Sequence, residues 1–201
     1  MKITILSAFA LALVVSGAAS ASAATTAPPL VSDVCSKCHG PDGDSQSPLF
    51  PRLAGQTAAY IKTQLESFRD HSRGDPHARA YMWGIAKPLS DDQIGQIAEY
   101  YASRKPGAAI APTDAKLVAQ GKQIFFNGDD KRDIPVCASC HGEQAQGNDS
   151  IPRLAGQQPD YLYQQLRAFR NGMRYNETMH ANVQKMTNEE AAAVSQYLAA
   201  Q

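Results

Sequence analysis

The stretches VCSKCHGPDGDS at 34–45 and VCASCHGEQAQG at 136–147 decide the fold. Each carries Cys-x-x-Cys-His-Gly, and the four cysteines of the chain all lie in these two copies. Four general chemistries use such cysteines. Two disulfides would not require a histidine directly after the second cysteine in both copies. A zinc ribbon would have to bring together pairs about 100 residues apart, far outside ribbon spacing. A thioredoxin-like redox pair belongs in alternating strands and helices, and no alternating pattern is present. Covalent attachment of haem c uses every residue of the motif: two thiols add across the vinyl groups and the adjacent histidine reaches the iron. The expected attachment residues are Cys35, Cys38, Cys137 and Cys140, with His39 and His141 as metal ligands.

Working outward from the two motifs exposes a tandem duplication. PRLAGQ at 51–56 answers PRLAGQ at 152–157, and YIKTQLESFRD from 60 answers YLYQQLRAFRN from 161. MWGIAKPLSDDQIGQIAEYY from 82 answers MHANVQKMTNEEAAAVSQYL from 179. The offset falls from 102 at the first cysteine to 97 at the methionine, so the differences lie in loops. SRKPGAAIAPTDA has the Pro, Gly and Ala content of a linker, and places the domains at 24–108 and 109–201.

Periodicity within each half is helical. Ile61, Leu65 and Phe68, matched by Leu162, Leu166 and Phe169, line one helix face. Ser90 and Thr187 are each followed three residues on by Gln93 or Glu190, the capping-box pattern that satisfies free backbone donors at a helix start. The second half has a further helix in TDAKLVAQGKQIFFNG, with Leu117, Gly121, Ile124 and Phe125 on or near one face; the first half has only PPLVSDV there. The fold class is all-α, and each half of about 90 residues is small enough to be marginal without a cofactor in its core.

A six-coordinate iron takes a second ligand on its far face. Met82 is the only methionine of the first half, with His71 and His77 in the same loop. The second half offers Met173, Met179, Met186 and His180. The repeat selects Met179, which pairs with Met82; Met186 pairs with Leu89 and reads as core, and Met173 has no counterpart. Methionine opposite histidine raises the potential and closes the iron to other ligands, which suits electron transfer.

Residues 1–23 combine a lysine, an apolar run and a small-residue end containing Ala21-Ser22-Ala23, the pattern of a cleaved signal peptide and an exported, periplasmic protein. The apolar run is short for a membrane span. Nineteen basic residues balance nineteen acidic ones, and their interspersion argues against a nucleic-acid surface.

Taken together, CSKCH, PRLAGQ and Met82, then CASCH, PRLAGQ and Met179, resemble the dihaem cytochrome c4 family, tandem class I cytochrome c domains. The resemblance implies two covalently bound haem c groups and no enzymatic activity of its own. It implies that Pro51 and Pro152 offer carbonyls to the ring nitrogens of His39 and His141, with Leu53, Phe68, Leu154 and Phe169 walling the haem. It also implies electron transfer from a quinol-oxidising bc-type complex to a terminal oxidase, with loose membrane association. One alternative shares the chemistry, an electron-transfer subunit of a larger oxidoreductase such as a flavocytochrome; another is of a different class, an enzyme, a dihaem peroxidase. The peroxidase requires an iron that opens to peroxide, which a methionine in both halves disfavours.

Overall fold

A computed structural model describes residues 26–201; the signal-peptide expectation for 1–23 lies outside the described residues. Among them there are nine α-helices and no strands, only isolated β-bridges, one of which pairs Arg73 with Arg174. None of these helices is long and apolar enough to cross a membrane.

The first half contains α1 (Ser36–His39), α2 (Ala58–Arg69), α3 (Trp83–Ala86) and α4 (Asp91–Ala102). The second half contains α5 (Ala115–Asn127), α6 (Ala138–His141), α7 (Pro159–Arg170), α8 (Glu177–Val183) and α9 (Asn188–Ala199). Both expected capping boxes form, on α4 through Ser90 and Gln93 and on α9 through Thr187 and Glu190. Two separate cores result. Ile61, Leu65 and Phe68 of α2 meet Ile94, Ile97 and Tyr101 of α4 in one, while Leu162 and Phe169 of α7 meet Val194 and Leu198 of α9 in the other.

The halves differ where the sequence predicts a missing helix. In the second, α5 crosses α9 so closely that a methyl group built on Gly121 would lie 2.0 Å from the Ala193 carbonyl oxygen; only glycine admits that approach. In the first half a wide helical turn, Val31–Cys35, runs directly into α1, and Val31 is fully buried in the first core.

The two PRLAGQ segments clasp one another across the domain interface. The Gln157 side chain accepts from the Arg52 amide at 2.8 Å and donates to the Arg52 carbonyl at 2.9 Å. The Gln56 side chain does the same to Arg153, at 2.7 and 2.9 Å. The repeat therefore forms a pseudo-twofold interface in which each half supplies the same group to the other.

Candidate haem sites

Spacing explains the first part of each site. Residues at i, i+3 and i+4 share a helix face, so the turn ending at His39 brings Cys35, Cys38 and His39 to one side, and α6 does so for Cys137, Cys140 and His141. Gly40 and Gly142 stop these turns at φ of 82° and 83°, a conformation that disfavours a side chain. No disulfide joins the cysteines.

Each histidine is oriented from a distance in sequence. His39 Nδ1 lies 2.9 Å from the Pro51 carbonyl and His141 Nδ1 lies 3.1 Å from that of Pro152. Proline has no N–H, so its carbonyl oxygen is what its backbone can offer here, and the imidazole must donate to it. Burial holds both imidazoles below their ordinary pKa, with the bond to the prolyl carbonyl opposing that shift. A neutral ring that donates from Nδ1 keeps the Nε2 lone pair for a metal.

In the first half these groups line an apolar cavity of about 370 Å³ that also touches Leu53, Phe68 and Met82. It reaches the surface beside Leu49, Tyr81 and Ile85, which are exposed. Two thiols, an imidazole with a free nitrogen and a thioether around one apolar cavity fit a covalently attached haem. In the second half Cys137, Leu154 and Met179 pack on the core that includes Phe169. Met186 is buried in that same core and Met173 is exposed. Of the histidines, His71 is exposed and stacks on Trp83 with ring centroids 4.1 Å apart, and His77 lines the cavity. His180 Nδ1 is 2.8 Å from the Phe169 carbonyl.

A polar cluster with no local sequence motif joins the two halves, and Tyr60, Gln64, Arg73, Asp75 and Tyr161 of it also line the first cavity. Gln64 Oε1 accepts from Arg73 at 2.8 Å and from Arg174 at 2.7 Å. Gln165 Oε1 accepts from the same two arginines, at 2.8 and 2.6 Å. Tyr60 accepts from Arg174 and Tyr161 from Arg73. Asp75 pairs with Arg73 at 2.8 Å with both side chains almost fully buried. Burial raises the Asp75 pKa, but Arg73 and then Arg174 outweigh it and hold the carboxyl below the usual range. Each arginine also lies over a phenylalanine of its own half, Arg73 on Phe68 and Arg174 on Phe169, which ties the interface to both cores. The available signal was the repeat itself: Tyr60, Gln64 and Arg73 recur as Tyr161, Gln165 and Arg174 at one offset of 101.

Comparison with known proteins agrees with this geometry. The cytochrome c family model matches twice, over residues 26–105 and 118–201. Cytochrome c-552 of Acidithiobacillus ferridurans is 40% identical over 194 residues, covering 94% of this chain and 84% of that one. A thiosulfate dehydrogenase electron acceptor of Thiomonas intermedia is 37% identical, covering 83% of this chain and 78% of the other. The solved cytochrome c4 of Acidithiobacillus ferrooxidans superposes with a TM-score of 0.80 at 38% identity, over 85% of this chain and 99% of that one. Two cytochrome c segments, two Cys-x-x-Cys-His motifs and that superposition establish that the chain belongs to the cytochrome c4 family, with two tandem cytochrome c domains and two covalently attached haem c groups.

Proposed function

We propose that the chain is a periplasmic electron carrier with His39 and Met82 as ligands of one iron and His141 and Met179 as ligands of the other. Thioether attachment falls to Cys35 and Cys38 in the first domain and to Cys137 and Cys140 in the second. The observation that carries this reading is the cavity shared by the two cysteines, His39 and Met82, repeated in sequence at Cys137, Cys140, His141 and Met179. The haem, when bound, supplies one-electron exchange between ferric and ferrous iron. The protein's part is to bind, orient and shield. Pro51 and Pro152 hold the imidazole planes through Nδ1, and the apolar walls keep water from the cavity, which raises the potential together with the thioether.

Support for the domain limits, 24–108 and 109–201, comes from the linker's contacts. The Ala108 carbonyl accepts from the Arg52 side chain, whereas the Ile110 amide donates to Ala199. The signal-like residues 1–23 support export to the periplasm. On this reading electrons arrive from a quinol-oxidising bc-type complex and leave to a terminal oxidase, and the chain itself is not an enzyme. The relative named as a thiosulfate dehydrogenase electron acceptor favours a second reading, in which a thiosulfate dehydrogenase is the donor.

The electronic spectrum tests the ligand assignment. Ferric protein is expected to show the weak band at the red edge that reports sulfur ligation. Met82→Leu and Met179→Leu should each remove about half of it, and Met173→Leu none. Ready binding of carbon monoxide by the reduced wild-type protein would overturn the assignment, because a saturated iron has no open position. Stopped-flow mixing with a reduced bc-type complex, against a reduced thiosulfate dehydrogenase, separates the two donors.

A further inference from the structure

The clasp between the PRLAGQ segments does more than join the domains. The carbonyl of Pro51 and the amide N–H of Arg52 belong to one peptide group. On one side that group accepts from His39 Nδ1 at 2.9 Å; on the other it donates to Gln157 Oε1, from the other domain, at 2.8 Å. The peptide between Pro152 and Arg153 is bonded in the same way, to His141 Nδ1 at 3.1 Å and to Gln56 Oε1 at 2.7 Å. Neither glutamine amide is free to flip, because its nitrogen is used at the same time on the Arg52 or Arg153 carbonyl at 2.9 Å. Both side chains are buried, at 6% exposure, where hydrogen bonds polarise one another more than in water.

We propose that Gln157 and Gln56 are positioning residues acting in trans, each polarising the peptide whose carbonyl holds the other domain's histidine. An N–H bonded to Gln157 shifts electron density onto the Pro51 oxygen and strengthens that oxygen as an acceptor. The stronger acceptor draws the His39 Nδ1 proton, and the ring donates more charge through Nε2. Greater donation favours the ferric state. Gln157 therefore holds down the potential of the first centre, and Gln56 that of the second. This inference rests on His39 and His141 being the ligands.

The test compares holoprotein variants Gln157→Leu, Gln56→Leu and Gln158→Leu. Gln158 donates across the same interface to the Ser45 carbonyl, yet touches neither histidine-bearing peptide, so it reports interface loosening alone. Two quantities are read: the midpoint of each haem, assigned to its domain by NMR, and the His39 and His141 Nδ1–H proton shifts in the reduced protein. Gln157→Leu is expected to raise the first domain's midpoint and move the His39 proton upfield, leaving the second domain in place; Gln56→Leu does the converse. The rise in ferrous-to-ferric ratio at fixed poise should be severalfold and below about tenfold, since losing even a direct hydrogen-bond partner of a metal-bound histidine typically costs about 10–100-fold in metal affinity or activity, and the glutamine acts one bond further out. Gln158→Leu moves neither.

Shifts confined to the mutated residue's own domain, equal shifts in both, or none in either would overturn the proposal. Should the leucine variants not fold, Gln157→Glu keeps an oxygen toward the Arg52 amide and must not raise the first midpoint; a rise would be equally fatal. His39→Gln that kept the low-spin spectrum of the first centre would instead defeat the ligand assignment, independently of the glutamines.

Discussion

Gly121→Ala puts the close crossing of α5 and α9 to a quantitative test. The added methyl carbon would lie 2.0 Å from the Ala193 carbonyl oxygen, 2.5 Å from its carbon and 2.8 Å from Tyr197 Cβ. Non-bonded carbon contacts are comfortable at about 3.5–4.0 Å, so the helices must part by more than an ångström. Two of the three obstacles are backbone, which cannot rotate aside. Overpacking of this kind typically costs about 1–3 kcal/mol and occasionally more, and the crossing lies at the high end of that range. Replacing glycine by alanine inside a helix returns about 1 kcal/mol. The net expectation is a loss of about 2 kcal/mol from the second domain, or about 8–16 °C in its Tm at the sensitivity of a 60–100-residue domain. Gly95→Ala in α4 is the matched control, because nothing lies within 4 Å of its added methyl and the second half already has Ala192 there. That variant should gain about 0.5–1 kcal/mol. Differential scanning calorimetry of the holoprotein, with each transition assigned through its haem absorbance, measures both. An unchanged or higher Tm for Gly121→Ala would refute the packing account.

Asp75→Asn removes the carboxylate partner of buried Arg73, which should cost about 3 kcal/mol at pH 7. Because the folded carboxyl titrates below its unfolded value of about 3.9, its contribution is complete above that pH and is lost as pH falls through the lower folded pKa. The stability gap between wild type and variant should therefore close in acid, as followed by denaturant titration from pH 7 to pH 2; a constant gap contradicts the pairing. Gln64→Leu and Gln165→Leu both disturb the same two arginines, so a double-mutant cycle should show a coupling of about 0.5–3 kcal/mol. By contrast Ser90→Ala and Thr187→Ala remove capping boxes in separate domains. Each should cost about 1 kcal/mol, and the two losses should add.

The helical core, and the residues that line the first cavity with Cys35, were legible because local patterns encode them. Ile61, Leu65 and Phe68 announce a buried face by spacing alone, and Cys35, Cys38 and His39 announce shared chemistry by adjacency. Comparing the copies added Met82 and Met179, and predicted that the first half lacks a counterpart of α5. The wide turn at Val31–Cys35 was not legible, because a short run such as PPLVSDV has no period to read. The polar cluster was missed for another reason. Gln64, Gln165, Arg73 and Arg174 have the composition of a solvated surface, yet they bond across the two halves, and Arg73, Gln165 and Arg174 are buried there. The repeat marked these positions as recurrent without saying that the two copies face each other.

The clasp has the symmetry of a homodimer, the same patch presented twice, yet its halves are consecutive segments of one polypeptide. A tether of a dozen residues keeps each half at millimolar effective concentration toward the other. An interface too weak to hold two free molecules together can then stay shut, and it need not be self-complementary at every position. Freed from that requirement, one copy can exchange a residue without its twin having to follow, so the tether allows the two haem environments to diverge.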